Sequence, residues 1–208
     1  MGEAKRFFGE QFPELFARGV AALEERAAAG SEGAKRRLDD IRGARGVAWL
    51  VLDGEGELFL RVDNGRVTRV DSKPDDLPVR VAVGLPAEAA DSFVDEAKRV
   101  ADLGSDTAAY AAARTASARI ERAIGDDPLE LHLVVTDTPD FDEVVVRIGL
   151  NAPAPPATPR FTATIAWEDL EAVRTGKLLP QQLFMSGKLR LAGDYSRALQ
   201  VAMQLMQR

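Results

Sequence analysis

From Val47 the side chains fall into a period of two, and the turn signals Asp53-Gly54-Glu55-Gly56 and Asp63-Asn64-Gly65 divide the stretch to Val70 into three short runs. A period of two sends successive side chains to opposite faces of a strand, and Asn-Gly accepts the positive φ of a tight hairpin. An antiparallel meander satisfies both. In its first strand Val47, Trp49 and Val51 face one way and Ala48, Leu50 and Leu52 the other, so both faces read as buried. After a Pro-bounded loop over 71–78, Val79, Val81 and Val83 give a fourth strand, broken at Gly84. Pro86 then opens a helix running to about Leu103, where Gly104 stops it.

The plan is restated downstream. Strands at Leu129–Thr136 and Glu143–Leu150 flank a Thr138-Pro139-Asp140 turn, a loop over 151–159 carries four prolines, and a strand at Phe161–Ala166 leads into a helix opening at Trp167. This reads as a degenerate internal duplication, 44–104 against 129–177, although any meander followed by a helix has the same outline. Helical spacing of Leu15, Phe16, Gly19, Val20, Leu23 and Ala27 marks a helix opening at Pro13, and Ser31 caps another ahead of Leu38 and Ile41. The Ala-rich run 107–124, capped by Ser105, reads as one further helix whose small side chains suit close packing. The fold class is therefore α+β, a mainly antiparallel sheet covered by helices. Residues 1–43 form N-terminal helices, 44–128 a first meander with helices, and 129–208 a second half with a closing helix, expected to make one compact unit.

Most chemistries lack their residues. His132 is the single histidine, set in an apolar strand, and cysteine is absent, so neither a Ser-His-Asp arrangement nor a zinc site is expected. A half-buried His132 making one hydrogen bond is the expectation. Gly54 and Gly56 lie between strands and open no helix, which argues against phosphate binding, and the Asp-rich turns lack calcium-loop spacing. A net charge of -6 built from interspersed acids and bases argues against nucleic acid. With no long apolar segment, neither a signal peptide nor a transmembrane helix is expected, and the cytoplasm is the expected compartment.

The last fifty residues are the most specific. Gly176 ends a helix, Pro180 prevents its resumption, and 186–192 is a short strand with Leu189 and Leu191 on one side and Lys188 and Arg190 on the other. Phe184 and Met185 read as core, and Lys188 either as a solvated edge lysine or as a contact for an acidic head group. In the final helix Arg197, Gln200, Gln204 and Gln207 form a narrow polar stripe, and apolar side chains cover the rest. That surface has to meet the sheet together with a cavity, another helix or another subunit.

The run Glu168-Asp169-Leu170, Gly176-Lys177-Leu178, Pro180-Gln181, Phe184-Met185, Gly187-Lys188-Leu189, Gly193-Asp194 and Ala198 resembles the C-terminal half of the sterol carrier protein type 2 family. The resemblance is strongest over 160–208, is one of strand order over 129–160, and is weaker upstream. It implies a non-enzymatic carrier holding a sterol-like or fatty-acyl lipid in an apolar tunnel between sheet and helices, with no cofactor. It assigns lipid contact to Phe161, Leu170, Gln181, Phe184, Met185, Leu189, Leu199, Ala202, Met203 and Met206. An alternative is an accessory subunit presenting a quinone or isoprenoid precursor to partner enzymes, as in bacterial relatives. The resemblance leaves room for transient membrane contact and for a homodimer.

Overall fold

The computed structural model describes residues 2–100, 105–174 and 177–206, with backbone alone at positions 96, 97, 99, 100, 174, 180 and 206. Gly104, Gly176 and Gln207 lie outside the described residues. Among the described residues eight strands form one sheet in the order β3-β2-β1-β4-β6-β5-β7-β8. They are β1 (Arg45–Asp53), β2 (Gly56–Asp63), β3 (Arg66–Val70), β4 (Val79–Pro86), β5 (Leu129–Thr136), β6 (Glu143–Leu150), β7 (Phe161–Ala166) and β8 (Arg190–Gly193). The β1–β4 and β5–β7 pairs are parallel and all other neighbours antiparallel. The triplets β2-β1-β4 and β6-β5-β7 therefore share order and pairing sense, and the antiparallel β4–β6 pair joins them into one surface. The sheet is thus mainly antiparallel, as the meanders imply. The shared order is a likeness of topology between the halves.

The helices gather on one face. Leu50, Leu58, Leu60 and Val67 pack with Phe16, Val20 and Leu23 of α2 (Phe12–Ala28) and with Leu38 and Ile41 of α3 (Glu32–Gly43). Leu52, Leu85, Val144 and Val146 meet Ala89, Ala90 and Val94 of α4 (Ala87–Val100). On the opposite face Val47 and Phe59 are covered by Leu77 from the loop before β4. His132 also lies on that face, half-buried, and donates from Nε2–H to the Pro156 carbonyl at 3.0 Å, so the Pro-rich loop closes over it. That is the single hydrogen bond expected of it.

Five local readings are corrected. The first helix does not begin at Pro13. It begins with α1 (Glu3–Arg6) and passes through a π-helical turn, Phe7–Gln11, in which the Phe12 N–H bonds back to the Phe7 carbonyl. Widening the turn just ahead of Pro13 lets the chain enter α2 past a residue with no N–H to give. The run 107–124 is two helices, α5 (Asp106–Ala113) and α6 (Ala118–Ile124). The break is made by polar groups that alanine propensity does not register: Thr115 Oγ1 donates to the Ala112 carbonyl, and Ser117 Oγ accepts from Ile120 N–H while donating to Asp40. Strand β4 continues through Gly84, where a side chain would meet the Arg147 guanidinium at 2.8 Å, the guanidinium that bonds both Asp53 oxygens at 2.7 Å.

The remaining two lie near the C-terminus. Pro180 opens a helix instead of preventing one, because its fixed φ suits a first helical position and Gln182 Oε1 accepts from Leu179 N–H at 2.8 Å. That helix, α8 (Pro180–Met185), follows α7 (Trp167–Arg174). It closes at Gly187, whose φ of 73° lets Lys188 N–H reach the Leu183 carbonyl at 2.9 Å. Residues 186–189 are spent on this closure, so β8 starts only at Arg190. The chain then enters α9 (Ser196–Met206).

Candidate functional site

An apolar cavity of about 410 Å³ lies between the first helices and the helical face of the sheet. Its roof is an aromatic ladder: Phe7 and Phe8 meet edge-on at 5.1 Å, and Phe8 and Phe12 lie 6.1 Å apart. Its floor includes Ala48, Leu50, Leu60, Val81, Val83 and Leu85, and Ala90, Phe93 and Val94 of α4 close one side. The alternate residues Val81, Val83 and Leu85 extend about 13 Å along β4 at the usual strand rise.

The roof is fastened by acids at its helical start. Asp91 accepts from Ala4 N–H at 2.5 Å and Glu55 from Gly2 N–H at 2.8 Å, both at the positive end of the helix. Lys98 pairs with Glu3 and lies over the Phe7 ring. Polar side chains line the cavity at Arg80, Glu121 and Thr115. Arg80 Nε lies 3.7 Å from Glu121 Oε2 and donates to the Arg45 carbonyl, and its Nη1 donates to Asn151 Oδ1. Burial pushes the Glu121 carboxyl above its ordinary value of 4.5, only partly offset by the Arg45 N–H and by Arg80.

None of the ten residues assigned from the resemblance lines this cavity. Phe161 is buried on the sheet and Leu170 and Leu189 pack in a cluster around Val135, Ile165 and Leu183. Gln181, Phe184 and Met185 are exposed on α8, and Leu199, Ala202 and Met203 are exposed on α9. The Met206 side chain lies outside the described residues. Phe184 and Met185 are not core, because Leu183 is the side chain that α8 buries against Val135 and Ile165, and these two point away from it. Helix α9 packs on α6 through Ala198, Val201 and Leu205, which leaves its remaining apolar face open. Lys188 does not stand alone and does not line this cavity. Its Nζ lies 2.7 Å from Oδ1 of the buried Asp169, and this hydrogen bond and charge hold its ammonium above the usual lysine range.

Reading from sequence missed Phe7, Phe8 and Phe12. The signal was present: Phe8, Phe12 and Phe16 recur at four-residue spacing, the stripe of an amphipathic helix, upstream of a proline taken as the helix start. Arg80 and Glu121 carry no local motif. Among the described residues no group of acids and histidine has the arrangement of a metal site, and no helix is long and apolar enough to cross a membrane.

Residues 97–207 match the model of the SCP-2 sterol transfer family, and the chain belongs to that family. The match spans more than half of the chain and extends well upstream of the motif-bearing stretch. Among solved structures, the chain is similar to sterol carrier protein domain 2 of Helicoverpa armigera, at 26% identity and a TM-score of 0.30, over 42% of this chain and 72% of that one. It is also similar to sterol carrier protein 2 of Yarrowia lipolytica in its apo form (18%, TM-score 0.29, 41% and 68%). A third is sterol carrier protein 2 like 2 of Aedes aegypti (22%, TM-score 0.28, 41% and 88%). The family assignment rests on the sequence match. No curated protein matches significantly. Most of the cavity lining, from Phe7 to Val94, precedes the matched residues.

Proposed function

We propose that the protein is a non-enzymatic carrier that holds one hydrophobic molecule with a single polar end in the cavity beneath Phe7, Phe8 and Phe12. The observation that carries this reading is the cavity itself: about 410 Å³, apolar along most of its lining, with Arg80 and Glu121 among its few polar side chains. Its size lies in the range of small-molecule sites. Each buried methylene contributes about 0.8 kcal/mol, so a dozen supply roughly 10 kcal/mol before association costs, enough for useful affinity with no charged clamp. Sterol-like and fatty-acyl lipids both have this form. Arg80 beside Glu121 offers a donor and an acceptor together, which suits a hydroxyl or carbonyl end better than a second carboxylate facing Glu121.

A second reading follows from the other half of the sheet. Leu131, Leu133, Ile148 and Leu150 are only half-buried on the helical face, and Leu199 and Met203 are exposed on α9. A lipid laid over them would engage Phe161, Leu170, Leu189, Leu199, Ala202 and Met203, with Gln181, Phe184 and Met185 at its margin. In a cytoplasmic setting either site serves a free carrier or an accessory subunit that presents a quinone or isoprenoid precursor, and co-purification with a multi-enzyme complex separates the two roles. Native mass spectrometry of protein purified without detergent tests lipid binding itself. A retained molecule of one mass class, at one per chain, is expected. Protein that carries nothing and takes up no fluorescent fatty-acyl or sterol probe would sink the proposal.

A further inference from the structure

Asn151 stands beside the polar end of the cavity without lining it. It follows directly on β6, next to Arg80 of the neighbouring β4, and its N–H donates to the Arg80 carbonyl at 2.8 Å. Its φ of 54° lies in the left-handed region, which asparagine tolerates and most other side chains resist.

Both ends of its side-chain amide are engaged with the two charged residues of the lining. Oδ1 accepts from Arg80 Nη1 at 3.3 Å, while Nδ2 donates to the Gly125 carbonyl at 2.7 Å and to the Glu121 carbonyl at 3.4 Å. Those carbonyls lie at the C-terminal end of α6, the helix that carries Glu121. One side chain thus fixes the guanidinium and the helix bearing the carboxylate. Arg45 completes the frame through its backbone: its carbonyl accepts from Arg80 Nε at 3.2 Å, and its N–H donates to Glu121 Oε2 at 3.4 Å. Arg80 Nη2 and Glu121 Oε1 make no hydrogen bond among the described residues.

A hydroxyl both donates and accepts, so it can meet this donor and this acceptor together. A carboxylate only accepts, and it meets the charge of Glu121. The distinction lasts only while Arg80 is kept from turning, because a guanidinium with Nη1 released presents two parallel N–H groups to a carboxylate. We infer that Asn151 is the positioning residue that makes the cavity prefer an alcohol-ended chain to the corresponding fatty acid, by holding Arg80 and Glu121 as a fixed donor and acceptor pair. The inference rests on the reading of this cavity as the lipid site. It also ties the family-matched residues to a cavity whose lining mostly precedes them, since Glu121 and Asn151 both lie within 97–207.

Displacement of a fluorescent fatty-acyl probe by dodecan-1-ol and by dodecanoate, at a pH where the acid is ionised, tests this. The native chain should bind the alcohol about tenfold more tightly, the worth of one hydrogen bond to a charged group. Asn151→Gly suits the left-handed backbone and removes the amide, so with an unchanged circular dichroism spectrum it should bring the two affinities within about twofold of each other. Asn151→Asp keeps an oxygen for Arg80 and should keep the native preference. A purely structural role would weaken both ligands alike. A ratio unmoved by Asn151→Gly, or lowered as far by Asn151→Asp, therefore overturns the inference, and so does a native chain with no preference for the alcohol. Val83→Phe, which fills the cavity, separates the two failures. Displaceable binding that survives it sinks the cavity reading and this one with it, whereas binding lost in Val83→Phe with a ratio indifferent to Asn151→Gly overturns this inference alone.

Discussion

Gly19 illustrates how much one side chain decides. A Cβ there would lie 2.0 Å from the Ala109 carbonyl oxygen and 2.8 Å from the Ala113 methyl, so α2 and α5 touch through backbone. The small residues of the Ala-rich run indeed serve close packing. Gly19→Ala forces the helices apart and should cost about 1–3 kcal/mol, as overpacked sites do, measured by urea denaturation. Glu121 makes a different prediction. Its carboxyl titrates above 4.5 because burial penalises the charge. The native state therefore holds its proton to higher pH than the unfolded chain, and stability falls as pH rises through that interval. Glu121→Gln removes this cost. Its melting temperature should gain on the native chain as pH rises from about 4, and a constant or shrinking difference would contradict the burial of Glu121.

Helices α6 and α9 are held together by an exchange of arginines. Arg197, in the first turn of α9, donates to the Ile124 carbonyl at 2.5 Å, and Arg119, in the first turn of α6, donates to the Leu205 carbonyl at the end of α9. Each cation satisfies carbonyls at the negative end of the other helix. Arg197→Ala should therefore release α9 first, at a cost of about 1–3 kcal/mol, seen as faster amide exchange over 198–205 with β5 protected as before. Uniform loss of protection would contradict a local role. Ser117 is the matching case at a helix start. It caps α6 and bonds Asp40, which also accepts from Arg119 N–H at 2.8 Å. Ser117→Ala should cost about 1–2 kcal/mol and leave α5 intact. These caps and exchanges explain why element boundaries were harder to read than element types. Alternation in 47–70 and in 129–150 declares strands wherever they pair. The division of 107–124 depends on Asp40, which is remote in sequence.

At the scale of the molecule, both meanders and the strand-to-helix order were legible, because each is a local pattern repeated over tens of residues. The joining of the halves was not, since the β4–β6 pair and the stacking of Phe93 on Trp167 at 5.2 Å link segments with no shared local signal. The cavity was illegible for the same reason. Phe7, Leu50, Val83, Phe93 and Glu121 come from five elements or turns, and only the assembled sheet brings them together. The motifs of 160–208 gave the family, and they drew attention to the half of the sheet where the family's residues lie. The most direct test is a titration of a fluorescent fatty-acyl probe against the native chain, Val83→Phe and Met203→Asp. Saturation at one probe per chain, lost in Val83→Phe and retained in Met203→Asp, is the predicted result. Binding that survives Val83→Phe and is lost in Met203→Asp would move the ligand to the C-terminal half and contradict the account.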